Sequence, residues 1–286
     1  MQPFSFHRPT SLDETFSLLE QHGDEARMIA GGTALVVMMK QSLFTAEHLI
    51  SLDRVPGLSG IRGEADGLHI GALTRHRELE MSPVVRSAAP FLAEVYSHVA
   101  TVRIRNQATV GGGLAHADPN QDPPAAFITL EARVKLVSRN GERLVPVAEL
   151  FSDYYETVIQ PGELLTEVIV PPVAPGTRTA YLKFLPRTED DYATVAVGAT
   201  AQMQGGVVQK LKVALIAAAP TALSATVVED QLVGKSVTPA AIRQAAEAVE
   251  AIVDPLDDFR GSSSYKRDMA VVFTRRALER VLQDGA

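Results

Sequence analysis

The sequence predicts an α+β protein built in two parts, and three observations carry that expectation. The chain has 286 residues, more than one small core usually serves. Stretches with the period of a strand are interspersed with stretches that have the period of a helix. A proline-rich segment, "PPVAPG" at 171–176, separates two such mixed regions, so a boundary is expected there, with parts 1–175 and 176–286.

The elements can be justified in order. "SLDETFSLLEQHG" (11–23) is helical, with Ser11 as N-cap, Glu14 at the capping-box position and Gly23 as the stop. "ARMIAGG" reads as a strand running into a glycine turn. "GLHIGALT" is a strand with Gly71 inside it, where a bulge or a close backbone approach is expected. "ARVKLVSRNGERLVPVAEL" is a hairpin, with Val134, Leu136 and Ser138 alternating and Asn140-Gly141 at the turn. "ELLTEVIVPPV" is a strand stopped by its prolines. Beyond the boundary, "TRTAYLKFL" alternates as a strand, and "AVGATAQMQGGVVQKLKVALIAA" gives two strands across Gly-Gly. "PAAIRQAAEAVEAI" and "YKRDMAVVFTRRALERVL" are helical, the latter with Met269, Val272, Phe273, Leu278 and Leu282 expected on one face.

Composition narrows the function. Hydrophobic residues at 46% and charged residues at 21% describe a globular chain rather than a disordered one. The net charge of −7, with basic residues only in scattered pairs such as Arg103 with Arg105 and Arg275 with Arg276, argues against nucleic acid as a partner. With no cysteine, the chain forms no disulfide, holds no iron–sulfur cluster through thiolates and has no cysteine nucleophile. "MQPFSFHRPTSLDE" lacks a basic segment followed by an apolar one. The longest apolar runs, "ALVVMM" and "VALIAAAP", fall far short of the ~20 residues that span a bilayer. A cytoplasmic protein without a transmembrane segment is the expectation.

Two glycine clusters carry the chemistry. In "IAGGTALVVMMK" (29–40) a strand ends at Ala30, Gly31 and Gly32 turn the chain, and Thr33 is placed to cap a helix starting at Ala34. Such a turn aims backbone N–H groups and the positive end of a helix at one spot, which suits a phosphate. "TVGGG" (109–113) is expected to offer a second set of unobstructed N–H groups, with the Thr109 hydroxyl beside them. Neither cluster is G-x-G-x-x-G or G-x-x-x-x-G-K-[ST], so neither a Rossmann site nor a P-loop is supported. From the residues alone, an anion cradle and a pair of ordinary strand-end turns both remain open.

The chain resembles a known family in "AGGT" near residue 30, "IGALTRHRELE" (70–80), "TVGGGLAHADPNQDPPAAFITLEA" (109–132), "KFLPRTEDDYATVAVG" (183–198), "APTALSA" (219–225) and "YKRDMAVVFTRRALERVL" (265–282). In this order, over nearly the whole chain, these resemble the FAD-binding medium subunits of the molybdenum hydroxylases. That family includes the flavoprotein subunits of aerobic carbon monoxide dehydrogenase, xanthine dehydrogenase-like enzymes and N-heterocycle dehydrogenases. The resemblance implies a PCMH-type FAD-binding domain over 1–175, in two subdomains split near 57, and a smaller α+β flavoprotein C-terminal domain over 176–286.

By the same resemblance, Ala30, Gly31, Gly32, Thr33 and Ala34, together with Thr109, Val110, Gly111, Gly112 and Gly113, cradle the FAD pyrophosphate, and Asp122 bonds the sugar or ribityl region. Leu165 offers a backbone contact. Lys183, Asp191 and Tyr192 lie near the isoalloxazine, Lys183 on a flavin carbonyl and Tyr192 over a flavin face or gating the acceptor. His116 and Asp118 stand beside the flavin. The implied partners are a small subunit with 2Fe–2S clusters, a large molybdopterin subunit, and an external electron acceptor, with the complex a dimer of heterotrimers. The substrate site is expected in the large subunit, so this chain holds no catalytic residue of its own. The usual second motif reads N-x-G-T-I-G-G-N; here "NQATVGGG" places Ala108 for a glycine and Gly113 for the asparagine. Two other readings stand beside this one: a standalone FAD-dependent oxidase or reductase, and a scaffold subunit without flavin.

The remaining polar residues read more plainly. His116, Asp118 and Asp122 lack the companion ligands of a metal site, and no G-x-S-x-G exists for a triad hydrolase. "TEDDY" (188–192) is either a paired-carboxylate site or a solvated loop. His7, His22, His48, His69, His76 and His98 are expected to be surface or structural residues.

Overall fold

Parallel strands require crossovers, and the first fifty residues supply two. In the computed structural model, which describes residues 2–186, 188 and 191–283, β1 (Ser5–His7), β2 (Ala26–Ile29) and β3 (His48–Ser51) form a parallel sheet in the order β1-β3-β2. Helix α1 (Leu12–His22) connects β1 to β2, and α2 (Leu35–Lys40) connects β2 to β3. The Ser11 side chain accepts from the Glu14 amide, and Gly23, at φ 48°, ends α1. The Glu14 carboxylate reaches back to the Thr10 amide at 2.7 Å, one residue short of the capping-box partner. Helix α2 begins one residue later than expected. Ala34 is its N-cap and no side chain caps it, so the Thr33 hydroxyl does not serve the helix.

The second sheet is antiparallel: β4 (Ile61–Glu64), β5 (Gly67–Gly71), β6 (Arg133–Ser138), β7 (Gly141–Pro146) and, later in the chain, a long strand at 164–170, in the spatial order β4, β5, that strand, β6, β7. A Cβ on Gly71 would stand 2.5 Å from the Leu58 carbonyl oxygen, the close approach expected there. Between β5 and β6 lie α3 (His76–Met81), α4 (Pro83–Ala88), α5 (Pro90–Ser97), α6 (Val102–Arg105), α7 (Val110–His116) and α8 (Pro123–Thr129). The small ribbon β8 (Phe151–Asp153) and β9 (Glu156–Thr157) precedes the long strand β10 (Leu164–Val170), which is buried at all but one position and stops at Pro171. "TVGGG" is thus no loop. Its glycines open helix α7, capped by the Thr109 side chain on the Gly112 amide.

The last region is an antiparallel sheet of β11 (Arg178–Phe184), β12 (Val195–Gln204), β13 (Val207–Ile216) and β14 (Leu223–Ser224). Gly205 and Gly206, at φ 57° and 79°, make the β12–β13 turn. Helices α9 (Thr226–Leu232), α10 (Pro239–Glu247) and α11 (Ser263–Leu282) cover one face. The buried face of α11 is Lys266, Ala270, Thr274, Ala277, Leu278, Val281 and Leu282, while Met269, Val272 and Phe273 are only partly buried. The expected face is therefore rotated. Small side chains let the helix lie close to β12 and the bulkier ones fill its rim. The other face of the sheet receives α8: Tyr181, Ala196, Ala214 and Ile216 belong to the same apolar cluster as Phe127. Among the described residues no helix is long and apolar enough to cross a membrane.

Candidate functional site

A cavity of about 880 Å³ is lined from β2 and its following turn, β10, α7 and the loop after β11. That lies toward the upper end of the roughly 300–1,000 Å³ usual for small-molecule and cofactor sites. Its wall includes Ala30, Gly31, Gly32, Thr33, Ala34, Thr109, Gly111, Gly112, Gly113, His116, Asp118, Asp122, Leu165, Asp191 and Tyr192. Residues read from distant parts of the sequence therefore meet in one place. Val110 does not line it; its side chain is in the core at 1% exposure.

The first glycine turn keeps its donors free. A Cβ on Gly31 would stand 2.3 Å from the Gln107 carbonyl oxygen, so only glycine lets the two loops meet. The Gln107 side chain fastens the junction by donating to the Gly31 carbonyl at 3.1 Å. Gly32 takes φ 70°, a conformation glycine adopts without the usual strain. Among the described residues, the amides of Gly31, Gly32, Thr33 and Ala34 donate to no acceptor. Four free donors ahead of a helix make a concavity that favours an anion.

The second cluster behaves differently, and the expectation of free amides there is corrected. The Val110 amide donates to the Thr74 carbonyl at 2.9 Å, Gly111 to Ala72 at 2.8 Å and Gly113 to the Thr109 carbonyl at 2.9 Å. The Gly112 amide donates to the Thr109 hydroxyl oxygen at 3.3 Å. The glycines serve close packing instead. A Cβ on Gly111 would lie 2.5 Å from that of Ala72, and one on Gly112 would lie 2.6 Å from the Thr109 hydroxyl. The result is a helix packed tightly on Ala72, Thr109 and Gln121 where it borders the cavity.

Among the described residues, two buried polar groups near this helix lack partners. His76 Nε2 is 3.2 Å from the Thr109 carbonyl, but its Nδ1 has none. Burial pushes the His76 imidazole down to about 4, so the ring is neutral at pH 7. Gln121 Nε2 is likewise buried without a partner. Its Oε1 lies 3.2 Å from where a Cβ on Gly113 would stand, so the Gln121 amide occupies the space that glycine leaves. Both residues line the cavity, and orphaned buried groups in a cavity wall call for a polar ligand.

Asp122 stands at the start of α8, 2% exposed. One carboxylate oxygen accepts from the Tyr181 hydroxyl and the other from Lys183 Nζ at 3.0 Å. Burial raises the Asp122 carboxyl, against the opposing pull of Lys183 and Tyr181. Lys183 also donates to the His98 carbonyl at 2.9 Å and is absent from the cavity wall. The structure thus aims the ammonium at Asp122 and His98, not into the cavity as the expected flavin-carbonyl contact requires.

At the mouth, Asp118 Oδ1 accepts from the Asn120 backbone and side chain. Burial first, and then the charge and hydrogen bond of Asp118, raise the Tyr192 phenol. The Arg260 guanidinium lies 5.7 Å from the Tyr192 ring centre, and the Asp191 carboxylate accepts from the Tyr192 amide. His116 is lowered by burial and its ring lies 5.2 Å from that of Tyr155. Leu165 precedes a register shift in the β10–β6 pairing, the kind of irregularity that often borders a site. Of "TEDDY", residues 189 and 190 lie outside the described residues, so the paired-carboxylate reading stays with them.

Sequence reasoning missed His76, Gln121, Tyr155 and Tyr181. A signal existed for three of them, Gln121 lying within the quoted stretch 109–132. His76 lies within "IGALTRHRELE", and Tyr181 shares a strand face with Lys183 at a spacing of two.

Free amides at 31–34, orphaned polar groups and the cavity's size all fit a large phosphate-bearing cofactor. Comparison with known proteins agrees. Residues 2–173 match the model of the FAD binding domain in molybdopterin dehydrogenase, and residues 180–281 match the CO dehydrogenase flavoprotein C-terminal domain. The chain is 40% identical to a carbon monoxide dehydrogenase medium chain of Hydrogenophaga pseudoflava, over 96% of each chain. It is 31% identical to a glyceraldehyde dehydrogenase medium chain of Sulfolobus acidocaldarius, over 97% of this chain and 98% of that one. A solved carbon monoxide dehydrogenase from Hydrogenophaga pseudoflava superposes with a TM-score of 0.95 at 40% identity, covering 98% of this chain and 97% of that one. The chain belongs to the family of FAD-binding medium subunits of the molybdenum hydroxylases, and is an oxidoreductase subunit with a CO dehydrogenase-type flavoprotein C-terminal domain.

Proposed function

We propose that this chain is the electron-transfer subunit of a cytoplasmic molybdenum hydroxylase complex. Electrons would enter from 2Fe–2S clusters of a small subunit, supplied by a molybdopterin large subunit, and leave to an external acceptor, in a dimer of heterotrimers. Bound FAD would supply the exchange between one-electron and two-electron carriers. The observation that carries the reading is the set of free amides at Gly31, Gly32, Thr33 and Ala34 in the wall of a large cavity.

The residues of this chain bind, orient and shield. The amides at 31–34 hold the pyrophosphate, and α7, packed close by its glycines, borders it. Each Asp122 oxygen already accepts one hydrogen bond but keeps a further lone pair for a sugar or ribityl hydroxyl. Tyr181 and Lys183 fix that carboxylate in place. Leu165, His116, Asp118, Asp191 and Tyr192 surround the ring system, with Tyr192, 43% exposed, where an acceptor would approach. The relatives' names span different substrates on one medium-chain architecture, which supports a substrate site in another subunit.

The test is a visible absorption spectrum of the purified chain and of the complex it pulls down, each repeated after acid precipitation. Flavin released to the supernatant, with iron and molybdenum in the pulled-down complex, is the expected result. A complex without flavin, or a chain that hydroxylates substrate unaided, overturns the reading.

A further inference from the structure

Outside the cavity, the parallel sheet gathers three of the histidines that the sequence left unassigned. His7 ends β1, His22 ends α1 and His48 opens β3, and all three are half-buried. His7 Nε2 and His48 Nδ1 are 3.0 Å apart. The rings of His22 and His48 stack at 3.7 Å, and the His7 ring centre is 5.2 Å from each. One nitrogen from each ring lies within 4.8 Å of the other two. Carboxylate oxygens of Glu25 and Glu47 gather with His48 at the same spacing, and the Glu47 amide donates to the Glu25 carbonyl.

We propose that His7, His22 and His48 form a site for a divalent transition-metal ion of the zinc class, with Glu25, Glu47 or water completing the shell. Three imidazoles select zinc, copper, nickel or cobalt over magnesium and calcium, which prefer all-oxygen shells. Zinc–nitrogen bonds of about 2.0–2.1 Å at tetrahedral angles set ligand nitrogens about 3.3–3.4 Å apart. The His7–His48 pair needs to open by only a few tenths of an ångström to meet that. Whichever of the two rings donates in their hydrogen bond moves its proton to its remote nitrogen, so both present lone pairs without a change in charge. His22 leaves the stack by turning about its broad terminal torsion. Its ring has no hydrogen-bond partner to give up among the described residues. The bound ion would pin β1, the end of α1 and β3 together.

A second histidine–carboxylate group, His69 with Glu64 and Asp66, supplies the contrast. There both ring nitrogens are already engaged, Nδ1 by Glu167 and Nε2 by Asp66, each at 3.0 Å.

The experiment titrates the untagged, flavin-loaded full chain with Co²⁺ alone, following the visible ligand-field bands, and then adds Zn²⁺. The expected result is one equivalent bound with the intense bands of a four- or five-coordinate nitrogen site, displaced by Zn²⁺. H22A should weaken binding by more than the roughly 10–100-fold typical of losing an outer partner, because it removes a ligand itself. H69A should bind as the parent does. His22 closes a helix next to a glycine, so H22A is expected to fold; an unchanged flavin spectrum verifies this. Zn²⁺ should raise Tm in the parent and not in H22A. The proposal is overturned by no stoichiometric binding, by equal binding to parent and H22A, or by the pale bands of an all-oxygen site.

Discussion

Lys183 Nζ lies 3.0 Å from Asp122 Oδ2, with the two side chains 4% and 3% exposed. The partners come from β11 and from the start of α8, so a buried ion pair bolts the C-terminal sheet to the cavity floor. Charges taken this far out of water tolerate the loss of a partner badly. K183M should cost about 3–5 kcal/mol in urea unfolding of the chain, the range for leaving one buried charge uncompensated. The double variant K183M/D122N should regain part of that loss. A cost for K183M below about 1 kcal/mol, the range of exposed pairs, would mean the pair is not buried in solution.

Gly31 meets the Gln107 carbonyl so closely that a methyl group has no room: a Cβ there would stand 2.3 Å from a backbone oxygen, which cannot swing aside as a side chain can. G31A should force the two loops apart and weaken flavin binding at least tenfold, about 1.4 kcal/mol. The far-UV circular dichroism should not change. G63A is the control, because a Cβ there meets nothing closer than Val84 at 4.0 Å. Equal flavin affinity in G31A and the parent would remove the junction from the binding site.

Local signals in the sequence gave α1, the Asn140-Gly141 hairpin and the Gly205-Gly206 turn, because caps and turns are written in adjacent residues. They also placed both glycine clusters, which the fold brings to one cavity. What the α7 amides would do was not legible. The acceptors of Val110 and Gly111, Thr74 and Ala72, lie some forty residues away, and only the tertiary pairing decides whether those two donors are free; Gly112 and Gly113 turn to Thr109 close by. Helix α11 misled for the same reason. Leu278 and Leu282 are buried as the apolar pattern suggested, but toward its start close approach to β12 favours Ala270 and Thr274 over Met269, Val272 and Phe273. His7, His22 and His48 gave no motif, since parallel pairing of β1 and β3 is what sets His48 beside the first strand.

Gln121 reaches over Gly113 with a buried amide nitrogen that nothing among the described residues accepts from. An unsatisfied donor weakens the empty protein and rewards a ligand that satisfies it. Q121L should therefore act in opposite directions. The flavin-free chain should gain about 1–3 kcal/mol by losing a stranded polar group, while flavin affinity should fall about fivefold for one lost hydrogen bond of about 1 kcal/mol. Melting curves of the empty chain and FAD titrations by fluorescence read the two effects separately. A variant whose affinity is intact would show that the amide faces water in the filled site.

His76 gives stability a pH dependence of known sign. Its imidazole falls from 6.5 to about 4 on folding, chiefly through burial. Between those values the unfolded chain takes up a proton that the folded chain refuses, so stability declines as pH falls through this window. Above 6.5 both states are neutral at this residue and it adds no slope. At about 1.4 kcal/mol for each unit, the shift removes about 3 kcal/mol by the time the pH reaches the folded value. H76N keeps a neutral polar side chain and abolishes the titration. Urea unfolding of the flavin-free chain at pH 7.5, 5.5 and 4.5 should show the parent losing about 2.5 kcal/mol more than H76N across the series. Parallel losses in the two proteins would mean that the ring can be protonated in place, and that His76 is reached by water in the empty cavity.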